Sequence, residues 1–84
     1  MTATREDVQR WLEEGEEKGA THLIVACDTF DYENYPVFVM PGESCEKKVE
    51  EVKGNSMQSV DEVYDLAEDV TRQLSELRAM HVTS

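Results

Sequence analysis

The sequence predicts an α+β fold, in which helices pack on a small antiparallel sheet of about three strands in the order α-β-β-α-β-α. Three observations predict this fold. Residues 22–30 are apolar enough for a buried strand, apolar residues recur at helical spacing before and after that segment, and turn-forming residues mark the boundaries. The chain of 84 residues suits a single domain, 1–84, with one core.

The first predicted helix covers residues 5–18. Thr4 and Asp7 fit a capping box, in which two side chains satisfy backbone N–H groups at the start of a helix. Gly19 suits the left-handed conformation that ends a helix. Gly15 falls on the apolar side, which predicts that another segment packs closely against the helix there.

A β-hairpin is predicted to follow this helix. Residues 22–30 form its first strand, and because this segment is apolar on both faces we expect it to be the central strand of the sheet. Residues 35–40 form the second strand, and residues 31–34 have the length of a hairpin loop. Pro36 lacks a backbone N–H, so it predicts the start of an edge strand or a bulge.

A second helix is predicted over residues 45–53. Ser44 is its N-cap, and Gly54 is the residue that ends it. Residues 57–80 are ambiguous, because their apolar residues fit one long helix and also alternate in part.

We favour a third strand at residues 59–66 and a third helix at residues 69–80, since a sheet of only two strands is marginal. Asp69 is the expected N-cap of that last helix. His81 is expected near its C-terminus, where a protonated imidazole suits the helix dipole.

The charge balance limits the classes of partner. The chain has 19 acidic and 8 basic residues, with a net charge of −11. Direct nucleic-acid binding is disfavoured, because it depends on basic side chains that neutralise phosphates. The charge fits a protein partner with a basic surface, but we favour the interpretation that acidity keeps a small protein soluble. No segment resembles a signal peptide or a membrane span, which predicts a cytoplasmic protein without membrane contact. A chain this short buries a small core, which suggests that it forms a homodimer.

One block of the chain resembles a known family. The block ATHLIVACDTFDYENYPVFV (residues 20–39), the turn Pro41-Gly42-Glu43 and the stretch MQSVDEVYDL (residues 57–66) are similar to a family of small bacterial and phage-borne proteins. The run CDTFDY, residues 27–32, is the most specific piece. The family has no established activity, so the resemblance implies membership of this bacterial and phage-borne family and no mechanism. It also supports the strand at residues 59–66.

The cysteines do not predict a catalytic site. Strand alternation places His22 and Asp28 on one face and Cys27 on the other, which disfavours a Cys27–His22 pair. Cys27 is therefore interpreted as a small buried apolar residue. Cys27 and Cys45 are both expected to be free thiols in a reducing compartment.

Three carboxylates lie close together in the hairpin. Asp28, Asp31 and Glu33 are oxygen ligands of the kind that magnesium or calcium binds, but their spacing lacks the glycine and the ligand density of a calcium loop. We expect them to be solvated or turn-forming, with Asp31 or Asn34 as the turn residue. No metal or cofactor site is predicted, and the alternative is a small metal-dependent hydrolase that uses Asp28 and Asp31.

The hairpin also concentrates aromatic residues. Its members are Phe30, Tyr32, Tyr35 and Phe38, and either core packing or a partner surface accounts for them. No catalytic motif is present in the sequence. The sequence therefore predicts a small acidic, non-catalytic protein that binds another protein through residues 30–38. A more specific form of this hypothesis is a phage-type inhibitor or a nucleic-acid mimic. The predicted contact residues are Phe30, Asp31, Tyr32, Glu33 and Tyr35.

Overall fold

The computed structural model of the protein describes residues 3–76 and 78–82, and it confirms the predicted α+β fold and the order of its elements. The elements are α1 (Arg5–Lys18), β1 (His22–Asp28), β2 (Glu33–Val39), α2 (Cys45–Gly54), β3 (Gln58–Asp65) and α3 (Val70–Leu74). β1 lies between β2 and β3 and runs antiparallel to both, so the predicted central strand is confirmed.

The sheet is covered on both faces, which explains why β1 is apolar on both sides. On one face, Ile24 and Ala26 of β1 pack with Val49 and Val52 of α2. On the other face, Leu23 and Val25 belong to a second cluster with residues of α1 and β3. The members of that second cluster are Val8, Leu12, Leu23, Val25, Tyr64 and Ala79.

A bulge in β3 changes which of its side chains face α2. Val25 pairs with Glu62 and the next residue of β1, Ala26, pairs with Val60, so Asp61 is an extra residue in β3. The bulge explains why Val60 and Val63, three positions apart, both pack in the cluster that contains α2.

Helix α1 begins and ends as predicted. The Thr4 side chain accepts from the Asp7 backbone N–H, and the Asp7 side chain accepts from the Thr4 backbone N–H, so the capping box is confirmed. Gly19 has a φ of 77° and ends the helix in the left-handed conformation. A Cβ on Gly15 would lie 2.9 Å from Leu66 Cδ1 and 3.3 Å from the Phe38 ring, which confirms the close approach.

Helix α2 begins at its predicted cap and ends slightly later than predicted. The Ser44 hydroxyl accepts from the Lys47 backbone N–H at 3.4 Å. Gly54 is the last residue of the helix and not the residue after it, because Asn55 supplies the cap, with its N–H bonded to the Val52 carbonyl.

The prediction of a helix over residues 69–80 is wrong beyond Leu74, although Asp69 is the N-cap as predicted. Directly after this short helix, the Ser75 and Glu76 N–H groups still bond to carbonyls of α3, and the backbone farther along then bonds to β3. The Val63 N–H donates to the Ala79 carbonyl, and the His81 N–H donates to the Val63 carbonyl, each at 2.9 Å.

The position predicted for His81 is therefore wrong as well. Residues 78–82, which we call the C-terminal strap, lie along β3, and Met80 forms a parallel bridge with Val63. Leu77, which the predicted helix included, lies outside the described residues.

Within the described part of the chain, no helix combines the length and the apolar character that crossing a membrane requires.

Candidate functional site

The loop between β1 and β2, residues 29–32, is held by hydrogen bonds from its own chain. Asp28 Oδ1 accepts from the Phe30 N–H at 2.9 Å, and the Asp28 carbonyl accepts from the Tyr32 N–H at 2.7 Å. Asp31 Oδ1 accepts from the Glu33 N–H at 3.1 Å, so the prediction that Asp31 is a turn residue is confirmed. We call residues 28–33 the hairpin tip.

The hairpin tip exposes two aromatic rings. Phe30 is 76% exposed and Tyr32 is 66% exposed, although a buried Phe or Tyr ring removes a large apolar area from water. Tyr32 has a φ of 58°, a left-handed conformation that is uncommon for a residue with a side chain. Since the backbone of this residue is bonded to Asp28, the ring is presented from a defined turn.

The other two aromatic residues of the hairpin belong to the packed part of the sheet. Tyr35 is half-buried against the cluster that contains α2, and its hydroxyl donates to the Gln58 side-chain carbonyl. Burial, and then the nearby Asp28 carboxylate, raise the pKa of Tyr35. Phe38 packs on the opposite face, where Lys18 Nζ lies 4.5 Å from its ring centroid. The four rings therefore divide into an exposed pair and a packed pair.

Tyr35 lies in β2, two residues beyond Glu33, and it differs from the other predicted contact residues in its packing. Phe30, Asp31, Tyr32 and Glu33 are exposed at the tip, while Tyr35 has a structural role in the sheet. Asn34, the other residue considered for the turn, also lies in β2 and is not a turn residue. Its Nδ2 donates to the Ala26 carbonyl at 3.1 Å and to the Asp61 carboxylate at 2.8 Å.

Two carboxylates of the tip accept hydrogen bonds from the backbone of the turn. Asp28 and Asp31, the pair considered for a metal-dependent hydrolase, each accept a backbone N–H of the turn. Among residues 3–76 and 78–82, no three His, Cys, Asp or Glu side chains are arranged to hold a metal ion. The tip is thus an acidic surface around two exposed rings.

The two thiols are buried and free. Alternation along β1 places Cys27 on the face of Leu23 and Val25, away from His22, as predicted. Burial, and then the negative charge of Asp61, raise the pKa of Cys27. A thiol with a raised pKa supplies little thiolate near neutral pH, so Cys27 is suited to packing and not to nucleophilic attack.

A second thiol environment was not foreseen from the sequence. Cys45 is fully buried at the start of α2, and burial followed by the charges of Asp65 and Glu46 raises its pKa to about 11. His22 Nε2 lies 3.9 Å from Asp65 Oδ2. His22 and Asp65 are partners across β1 and β3. The raised pKa keeps the Cys45 thiol protonated near neutral pH, so Cys45 is suited to packing.

A cavity of about 230 Å³ lies between the start of α1, β3 and the segment around α3. The two glutamates that line it, Glu62 and Glu76, already have hydrogen-bond partners. The Tyr64 hydroxyl donates to Glu62 Oε1 at 2.8 Å, and the Ala79 N–H donates to Glu62 Oε2 at 3.1 Å. Glu76 bonds to His81 Nε2 at 2.6 Å. Hydrogen bonds join Glu62 to Ala79 and Glu76 to His81, so these two carboxylates hold the C-terminal strap beside the cavity.

Met57 extends the exposed apolar surface at the end of the sheet where the hairpin tip lies. It is 50% exposed, has a φ of 70°, and its carbonyl accepts from the Thr29 N–H at 2.8 Å. Met57 was not among the contact residues predicted from the sequence. Its position directly after the turn-forming residues Gly54, Asn55 and Ser56 was the available signal.

The chain was compared with protein-family models, with curated proteins and with solved structures, and none of the three comparisons finds a match.

Proposed function

We propose that the protein acts by binding another protein, and that the hairpin tip contacts a basic surface on that partner. The observation that carries this proposal is the exposure of Phe30 and Tyr32 on a turn whose backbone is hydrogen-bonded. An exposed ring costs the free protein favourable burial, and binding a partner recovers it.

The surroundings of the two rings indicate the chemistry of the partner. Three carboxylates lie in the tip, at Asp28, Asp31 and Glu33, and no Lys or Arg occurs between Thr21 and Gly42. Exposed rings surrounded by charge have the composition of an interface centre with a polar rim. Complementary charge favours a partner rich in Lys and Arg and increases the rate of encounter.

Pre-organisation of the turn favours binding over a purely local role. The side chains of Asp28 and Asp31 bond to the backbone on either side of Phe30 and Tyr32. A loop that is already ordered loses less conformational entropy when it binds. Neither ring belongs to a buried cluster of the described residues, so their removal should not disturb the core.

The test replaces both rings, as Phe30→Ala with Tyr32→Ala, and compares partner capture with stability. A photoreactive amino acid at Thr29 is cross-linked in cells of the native host, with the same group at exposed Glu50 of α2 as the control position. We expect a discrete product from position 29 that is lost in the double variant. The free energy of unfolding should change by less than about 0.5 kcal/mol, because the substituted side chains are exposed.

Two results would contradict the proposal. One is a product at position 29 that persists without the rings or that appears equally at position 50. The other is a double variant whose unfolding free energy falls by more than about 1.5 kcal/mol, which would assign the rings to the core.

A further inference from the structure

We infer that the partner contributes an extended, Lys- or Arg-bearing segment that adds as a fourth strand along the outer edge of β2. This inference rests on the proposed function, since it concerns the same hairpin and names how its partner binds. Strand addition to an open sheet edge is an established mode of peptide recognition, in which backbone hydrogen bonds supply affinity and side chains supply specificity.

The two edges of the sheet differ in how they are covered. The outer edge of β3 is occupied by the C-terminal strap, through Val63 bonds to Ala79 and His81. Arg78 closes the bulge, since its Nε donates to the Asp61 carbonyl at 2.8 Å and its Nη2 donates to the Val60 carbonyl at 3.1 Å. β2 ends the sheet on the other side, and within residues 3–76 and 78–82 no segment pairs with its outer edge.

The direction of the backbone groups of β2 follows from one hydrogen bond. The Val39 carbonyl accepts from the Thr21 N–H at 2.7 Å, so it points toward β1. Because backbone groups alternate in direction along a strand, those of Asn34, Pro36 and Phe38 point to the outer edge. An added strand finds N–H donors at Asn34 and Phe38 there, and carbonyl acceptors at all of these positions.

Pro36 fits this arrangement. Its missing N–H would weaken the sheet if it pointed toward β1, but at an outward position it costs no bond to β1. A proline in an edge strand also limits uncontrolled pairing between copies of a protein. The edge can therefore accept a selected segment while resisting continuous edge-to-edge association.

Charge decides between a basic segment and a second copy of the chain. Each copy carries a net charge of −11, and the hairpin itself holds three carboxylates and no Lys or Arg between Thr21 and Gly42. Two such edges would repel each other, whereas a segment with Lys or Arg near the tip would pair with Asp31 and Glu33. The occupant is therefore a basic extended segment.

The test uses a synthetic peptide, Lys-Thr-Lys-Val-Lys-Thr-Lys with neutral ends, and ¹⁵N-labelled full-length protein. We expect the backbone amide resonances of Asn34 and Phe38 to shift on titration, with cross-strand NOEs between the peptide and β2. The matched control is the same peptide with every internal backbone nitrogen methylated, which keeps its charge and removes its N–H donors. We expect the methylated peptide to bind at least tenfold more weakly, since an added strand depends on backbone hydrogen bonds.

Each remaining outcome overturns strand addition. Absence of binding, or equal binding by the methylated peptide, would do so. Shifts confined to residues 29–33 would also do so, while leaving docking at the tip intact. Intermolecular NOEs across β2 without peptide would assign the edge to a second copy. The Phe30→Ala, Tyr32→Ala variant separates the two proposals, because β2 keeps its backbone groups and should retain the resonance shifts at Asn34 and Phe38.

Discussion

Gln73 shows how one buried polar side chain positions a whole segment. It is 1% exposed, and its amide bonds in both directions to the end of β3. Gln73 Oε1 accepts from the Asp65 N–H, and Gln73 Nε2 donates to the Asp65 carbonyl, each at 2.8 Å. The amide thereby completes the backbone hydrogen bonding of β3 where the strand ends, and it fixes the short helix α3 against the sheet.

Replacing Gln73 by Met should destabilise the protein by about 1–3 kcal/mol, because a side chain of similar size leaves the Asp65 N–H without its partner and removes one of the two donors to the Asp65 carbonyl, which also accepts from the Glu68 N–H. The control is Arg72→Met in the same helix, whose side chain is exposed and whose effect should stay within about 0.5 kcal/mol. Urea unfolding followed by circular dichroism measures both. Equal effects of the two substitutions would contradict this role for the amide.

Cys45 predicts a pH dependence whose sign follows from its raised pKa. In the unfolded chain a thiol loses its proton near pH 8.5, whereas in the folded protein burial holds the pKa at about 11. Between these values the unfolded state binds fewer protons than the folded state, so the free energy of unfolding falls as pH rises through this window. The contribution of this thiol is fully present below about pH 8.

Urea unfolding between pH 8 and pH 10 checks this expectation. The unfolding free energy should decrease by about 1–2 kcal/mol over this range, and the decrease should be smaller in Cys45→Ala. The pKa of Tyr64 is also raised, by burial and by its hydrogen bond to Glu62, but a tyrosine acts mainly above pH 10. An identical pH slope in the Ala variant would show that the thiol is not the cause.

At the scale of elements, α1 depends on the absence of a side chain at Gly15. A Cβ there would lie within 3.3 Å of both Leu66 and Phe38, so the helix packs on side chains from two segments of the chain. Gly15→Val should destabilise the protein by about 2 kcal/mol through overpacking, despite the poorer helix propensity of glycine. Gly54→Val is the control, because apart from its chain neighbours and the backbone of its own helix no described atom lies within 4 Å of a Cβ built at Gly54.

Thermal unfolding of the two valine variants provides the comparison. In a domain of this size, 1 kcal/mol corresponds to about 4–8 °C in Tm. The Gly15 variant should therefore lose roughly 10 °C. A loss in the Gly54 variant as large as that in the Gly15 variant would refute the argument from space.

The elements that the sequence predicted well are those with local signals. The capping box at Thr4 and the left-handed Gly19 act within one turn of α1, and they set its ends. The segment after Leu74 could not be predicted in this way, because its conformation depends on bonds to β3 that are distant in sequence. Helical spacing of apolar residues continues through that segment, but pairing of Met80 with Val63 outweighs it.

The hairpin shows the same division between local and distant causes. The turn at Asp31 was predictable, since its side chain bonds to a backbone N–H only two residues away. Which rings are exposed was not predictable, because packing of Tyr35 depends on Gln58 of β3 and packing of Phe38 depends on α1. The open edge of β2 likewise follows from the position of the C-terminal strap on β3.

For the whole molecule, the net charge of −11 affects stability and binding with opposite signs. Repulsion among like charges destabilises the compact state, and salt screens it with a Debye length of about 10 Å at 0.1 M. Raising NaCl from 10 to 150 mM should therefore stabilise the fold by about 0.5–1 kcal/mol, which corresponds to a Tm increase of roughly 2–8 °C. The matched variant is Glu13→Gln with Glu17→Gln, on the exposed side of α1, and its increase should be smaller.

Binding of the cationic peptide should weaken over the same range of salt, because screening reduces the attraction between its Lys side chains and the carboxylates of the hairpin tip. A tenfold loss of affinity between 10 and 150 mM NaCl corresponds to about 1.4 kcal/mol. Parallel melting curves and peptide titrations measure the two effects on one preparation. If salt strengthened binding, or left it unchanged while Tm increased, the contact would be apolar and the net charge would serve solubility alone.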